Sequence, residues 1–219
     1  MSSIIIYFGI GRGGKIAFDY YNDRFDNNIE TQHFYINQKF VSSQRSGESF
    51  CVGQQRVPLS SIVHIVDDIK AEKFIGRIDF SRLNDIYGNS HQSTRNLIKQ
   101  LFLLNELIKK LNTNHEEYIF IRDDTVVDFK QSIFQKLRKW DNDTPRILVP
   151  VAHWHGGICD RFFITNRNGM KRMSERLDFT LRELFGGGMS SEVIFKKFLL
   201  KQGFRVYSSF ISVRRIRSG

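Results

Sequence analysis

Residues 118–129 read YIFIRDDTVVDF, a run of β-favouring residues that ends in Arg122, Asp123 and Asp124. Adjacent carboxylates repel one another unless positive charge lies beside or between them. Two sources are available: a divalent cation, or the cationic side chains of the chain itself. Carboxylate oxygens suit hard ions such as Mn2+ and Mg2+, which commonly bridge to the phosphates of a substrate. The plainer readings are that Asp124 caps a helix or that Arg122 neutralises the pair. Upstream, the apolar run IIIYFGI is followed by GRGGK, where Gly11 permits close backbone approach and Arg12 and Lys15 supply charge for a diphosphate. This is neither G-x-x-x-x-G-K-[ST] nor G-x-G-x-x-G, which counts against a P-loop NTPase and a nicotinamide enzyme.

Downstream, ILVPVAHWHGGICDRFFIT gathers His153, Trp154, His155, Gly156, Gly157, Asp160 and Arg161 between two apolar runs. Imidazoles, a carboxylate and an indole around a glycine turn offer hydrogen bonds and a stacking face to a polar ring; the plain alternative is a surface turn with Asp160 paired to Arg161. Further on, GGGMSSEVIF sets Glu192 at the head of a helix. There it serves either as a first-turn acid or as a general base.

These residues need elements to hold them. Ile4–Ile10 reads as a strand buried on both faces, His33–Asn37 as a second, and Ser60–Asp68 as a third that ends in acid. Residues 41–60 are polar and turn-rich, a loop or short hairpin. Leu97, Leu101, Leu104, Ile108 and Leu111 recur at three- and four-residue steps, which predicts a helix within Gly88–Asn112, capped by Ser90 or Ser93. Further helices are expected over Lys130–Lys139, from about Gly169 to Phe185, and over SSEVIFKKFLLKQG. ILVPV, RFFIT and the closing FRVYSSFISV read as strands. No repeat is visible. Strands alternating with helices predict an α/β fold with a mostly parallel central sheet flanked by helices.

The bulk numbers agree. A chain of 219 residues, 41% hydrophobic and 26% charged, forms one globular domain over 1–219, with no linker to divide it. Cys51 and Cys159 fit no metal or redox spacing and read as two buried free thiols, with a lone disulfide between them as the alternative. The apolar N-terminus lacks the basic start and cleavage site of a signal peptide, and no run spans a bilayer, so a cytoplasmic protein without a transmembrane segment is expected. The net charge of +10 attracts phosphate in any form. The basic end VRRIRSG reads as a solvated tail.

Taken in order, these pieces resemble the small GT-A-type glycosyltransferases of bacterial polysaccharide synthesis and of large DNA viruses of algae, including the domain that chloroviruses use to build capsid glycans. The matching pieces are FGIGRGG with Gly9 and Gly11, the helix RNLIKQLFLLNELIKKL, the Tyr118–Arg122–Asp124 strand end, GGICDRF (Gly156–Phe162), the Ser191–Glu192 helix head and the strand GFRV. The resemblance implies transfer of a sugar from a nucleotide-diphosphate donor, UDP-linked by expectation, to a glycan or glycoprotein, and no nucleic-acid partner. It implies Mn2+ or Mg2+ at Asp124 and Asp123, and donor contacts from Gly9, Gly11, Arg12, Lys15, Arg122, His155 and Gly157. It also implies Glu192 as first choice of acceptor base and Asp160 as second. The chain departs from a literal D-x-D, because Arg122 stands where the first acid would. Two alternatives remain on the residues alone. One is a metal-dependent nuclease using Asp123, Asp124, His153 and His155; the other is a nucleic-acid-binding protein with stacking platforms among its 20 phenylalanines.

Overall fold

The computed structural model describes residues 3–9, 31–36, 40–43, 48–51, 61–65, 68–86, 88–111, 114–122, 124–128, 143–151, 156–187 and 189–215. The expected helix over Lys130–Lys139 lies outside them. In chain order the strands are β1 (Ser3–Phe8), β2 (Thr31–Ile36), β3 (Phe40–Ser43), β4 (Glu48–Cys51), β5 (Ser61–Ile65), β6 (Glu117–Arg122), β7 (Thr125–Asp128), β8 (Arg146–Pro150), β9 (Phe162–Asn166), β10 (Arg205–Ser209) and β11 (Ser212–Arg215). The helices are α1 (Asp68–Ile75), α2 (Gln92–Lys110), α3 (Arg167–Met173), α4 (Arg176–Phe185) and α5 (Ser191–Lys201).

Seven strands form one sheet in the order β10-β8-β9-β6-β1-β2-β5. Every pairing is parallel except the two made by β9, which runs antiparallel to β6 and β8. Strand β1 sits near the middle, and the chain leaves it for β2 on one side while β6 flanks it on the other. This is the switch point beyond whose carboxyl ends open α/β sheets bind ligands. Because β9 is reversed, its amino end, with Asp160 and Arg161 before it, reaches that same edge.

The uninterrupted apolar runs are buried on both faces, as expected: Ile4, Ile5 and Ile6, then Tyr118 to Ile121, then Phe162 to Ile164 are all fully enclosed. On one face Ile4, Ile6, Phe8, Tyr118, Phe120 and Phe163 join a single cluster with Leu101, Leu104 and Ile108 of α2, Leu177 of α4 and Phe195 of α5. The stripe on α2 does what its spacing required. Its cap differs: the helix starts after His91 (φ +63°), which makes no side-chain cap, while the Asn89 amide oxygen accepts from the Ser93 N–H at 3.3 Å.

Other expectations are refined. The long helix over Gly169–Phe185 is two helices broken at Ser174–Glu175; the Asn166 side chain caps the first by accepting from the Gly169 N–H, and the second starts after Glu175 without a side-chain cap. The third strand stops at Ile65, and Asp68 opens α1 instead of closing β5. Residues 41–60 contain the hairpin β3–β4. The closing FRVYSSFISV is two strands: β10 extends the main sheet, whereas β11 turns away at Phe210 to pair antiparallel with β7. That small ribbon stands directly beyond the end of β6.

Candidate active site

Register places Phe8 of β1 opposite Arg122 of β6 at the carboxyl edge. Gly9 follows with φ +152°, a backbone region that side chains rarely adopt. Across the edge, the Arg122 N–H donates to the Arg161 carbonyl at 2.7 Å, so the residue before β9 is pinned beside the end of β6.

Asp124 is buried, and its carboxylate is met from several sides. Arg122 gives Nε to Oδ1 at 2.5 Å and Nη2 to Oδ2 at 3.0 Å, a bidentate clamp. Arg215, carried in by the β7–β11 ribbon, gives Nε to Oδ2 at 3.1 Å, and the Thr125 hydroxyl reaches Oδ1 at 3.3 Å. Burial alone would raise the pKa of this acid. The charges of Arg122, Arg215 and Arg161 together with the Arg122 hydrogen bonds outweigh it and hold the value at about 2. One of the plainer sequence readings, that Arg122 neutralises the acid, is therefore what the fold builds, with a second arginine added; Asp124 caps no helix.

A second cluster lies behind the glycine turn. Asp160 does not pair with its neighbour Arg161 as the surface-turn reading had it. It is buried and accepts from Arg176 Nη2 of α4 at 3.1 Å. Arg176 is itself buried, with its guanidinium carbon 3.9 Å over the Phe195 ring of α5, and burial draws its pKa below the usual arginine range. A relay of rings fixes this position relative to the sheet: Phe120 stacks on Phe163 at 4.7 Å, and Phe163 meets Phe195 at 5.6 Å. Glu192 is close enough for its charge to act on Arg176.

The turn and the helix head are in direct contact. The Ile158 N–H donates to the Glu192 carbonyl at 2.9 Å. A Cβ at Gly157 would stand 2.0 Å from the Glu192 carbonyl carbon and 2.3 Å from the Val193 nitrogen, so only glycine fits. Ser190 caps α5 by accepting from the Val193 N–H, and the Ser191 hydroxyl donates to Glu192 Oε2 at 3.0 Å. Two segments more than thirty residues apart in sequence thus converge: Gly157 and Ile158 pack on the backbone of Glu192, while Arg176 bonds Asp160 and feels the charge of Glu192.

Gly11, Arg12, Lys15, Asp123, His153, Trp154 and His155 lie outside the described residues. Arg176 and Arg215 are not marked out by the sequence, and Arg161 reads there only as a surface partner of Asp160. For Arg176 a signal existed: it occupies the buried stripe of α4 with Thr180 and Leu184, where a cation needs a partner. For Arg215 there was none, since a basic tail reads the same whether solvated or folded back. The remaining cysteine with a described side chain, Cys159, is buried, and burial raises its thiol pKa.

A divalent ion at Asp124 does not fit the described residues. Four donors already occupy its two oxygens, about as many as a carboxylate's lone pairs accept. Among the described residues, no three histidine, cysteine or acidic side chains gather around a common point. No step below passes through a metal.

No protein-family model and no curated protein sequence matches the chain. Among solved structures it is similar to the apo form of the glycosyltransferase GlyE of Streptococcus pneumoniae TIGR4, with a TM-score of 0.51 and 9% identity, over 95% of this chain and 45% of GlyE. It is also similar to an active-site mutant of the galactosyltransferase LgtC, with a TM-score of 0.52 and 12% identity, over 93% of this chain and 72% of LgtC. The chain thus spans less than half the length of GlyE, and no helix among its described residues is long and apolar enough to cross a membrane. Its mixed sheet, mostly parallel and flanked by helices, is the GT-A fold of these glycosyltransferases.

Proposed function

We propose that the chain is a glycosyltransferase that moves a sugar from a nucleotide-diphosphate donor, UDP-linked in the first instance, to a hydroxyl of a glycan or glycoprotein. One observation carries the reading: at the ligand-binding edge of this fold, a cluster rich in guanidinium groups stands next to a cluster rich in carboxylates. Sugar transfer needs both. As the bond from the anomeric carbon to the phosphate oxygen breaks, its electron pair goes to the leaving diphosphate, and cations stabilise that charge. As the acceptor oxygen bonds to the anomeric carbon, its proton must go to a base.

Glu192 is the base in this reading. It is half-exposed at the helix head, and its orientation is set by the Ser191 hydroxyl and by the Gly157–Ile158 backbone that grips its carbonyl. Asp160, held by Arg176, is a fixed hydrogen-bond acceptor for sugar hydroxyls. Arg122 and Arg161 face the departing phosphates. Base catalysis of this kind is typically worth about 10² to 10⁴-fold.

The nuclease alternative has no observation in its favour. The test is a panel of sugar nucleotides assayed for nucleotide-diphosphate release with and without glycan acceptors. Release from one donor, lost in Glu192→Gln, is the expected result; no release from any donor removes the proposal.

A further inference from the structure

We infer that the donor's diphosphate is received by an arginine set, Arg122, Arg161 and Arg215, that Asp124 organises, and that this set takes the place of a divalent ion. The inference rests on the transfer reading for its biological ligand, but its geometry stands apart from it.

Asp124 is saturated. Arg122 and Arg215 together supply three of its four donors, and Thr125 the fourth. A carboxylate in that state directs guanidinium groups; it does not offer an oxygen to a cation. The guanidiniums are in surplus. Arg215 spends only its Nε on Asp124, so among the described residues its two terminal amino groups have no partner, and its side chain is 30% exposed. Arg161, half-buried at the same edge, has no hydrogen-bond or ion-pair partner for its guanidinium among the described residues, and its backbone is fixed to Arg122. Three like charges facing one acid in a partly dehydrated place repel one another. Burial, and then the charge of Arg122, draws the Arg161 pKa below its usual value, as such crowding requires. An anion with several oxygens relieves the repulsion, and a diphosphate presents enough of them for bidentate contacts with planar forks. The place is right: Gly9, with its positive φ, leaves the end of β1 without a side chain beside Arg122.

The set is assembled by the last strand. Arg215 reaches Asp124 only because β11 pairs with β7, its Val213 opposite Val127 and Arg215 opposite Thr125. Val213–Arg215, which open the segment that reads as a solvated tail, thereby form a wall of the phosphate site. Arg215 and Arg161 are binding residues, and Asp124 is a positioning residue.

The experiment is isothermal titration of the full chain with inorganic pyrophosphate and with UDP, in EDTA and in Mn2+, for the native protein, Arg215→Gln, Arg161→Gln and Arg215→Lys. Pyrophosphate binding that persists in EDTA, falls about 10- to 100-fold in each Gln variant and partly returns in Arg215→Lys is expected, from the loss of charge-assisted hydrogen bonds. Melting temperatures within a few degrees of native keep the variants interpretable, and Arg161→Gln, outside any ion pair, serves should Arg215→Gln loosen the ribbon. Binding that requires Mn2+, or that is unchanged in both Gln variants, overturns the inference. The two readings fail separately: turnover of a sugar nucleotide only with Mn2+ leaves transfer standing and removes the arginine site. Metal-free pyrophosphate binding with no turnover does the reverse.

Discussion

The two clusters at the carboxyl edge of the sheet are built from the same pair of residue types in opposite proportion. Among the described residues, three guanidiniums act on the carboxylate of Asp124, whereas the one guanidinium of Arg176 bonds Asp160 and feels the charge of Glu192. Arg161 stands between them and feels both acids. The first arrangement suits an anion and the second a hydrogen-bond donor such as a hydroxyl, the polarity that the proposed transfer requires. The clusters also differ in depth. Arg176 and Asp160 are sealed inside, whereas Arg215 is partly open to solvent. A buried pair chiefly fixes geometry and leaves a ligand only the lone pairs that its partner does not take; a half-open set can trade an internal contact for a ligand.

Breaking the sealed pair has the largest effect. Asp160→Asn leaves Arg176 charged and unpaired in the core, and the expected cost is about 3–5 kcal/mol, read as a lower urea midpoint. A double change of Asp160 to Leu and Arg176 to Met should restore most of that stability without restoring transfer. Next, Gly157→Ala forces a methyl into the backbone of Glu192 and Val193, which cannot rotate away. A loss of about 3 kcal/mol is expected, together with loss of transfer as the turn separates from α5.

The open cluster is probed by pH. In the folded chain the arginines hold the pKa of Asp124 at about 2, below the usual range of an aspartate. Its stabilising contribution is therefore fully present above pH ~4 and lost as pH falls from about 4 to 2. Asp124→Asn should therefore lower stability at pH 7, and the difference from native should shrink as pH falls through about 2 in denaturant titrations. Ser190→Ala removes the cap of α5 and should cost about 1 kcal/mol while loosening the grip on Glu192. The smallest stability effect belongs to the sharpest functional test. Glu192→Gln, at a half-exposed position, should change stability by less than about 0.5 kcal/mol yet slow transfer about 10² to 10⁴-fold with donor affinity intact. Normal transfer in that variant would leave Asp160 as the remaining candidate base.

The sequence by itself determined a good deal. Unbroken apolar runs, as in β1, β6 and β9, can be satisfied only by strands covered on both faces, and the leucine spacing of α2 admits only a helix with one buried side. The alternation of the two implies a largely parallel sheet, and so an edge where Arg122 and Asp124 would meet ligand. GGICDRF and the Glu192 helix head were legible as unusual stretches, because glycine pairs and acids at element ends have local causes. Partnership was not legible. That β9 reverses, that Asp160 turns inward to Arg176 rather than to the adjacent Arg161, and that a basic tail folds back to bring Arg215 onto Asp124 were decided by tertiary structure alone. Local propensity acts over a few residues, whereas the pairing of buried charges is settled by which groups share a dehydrated space once the chain has closed, and Asp124 and Arg215 are 91 residues apart.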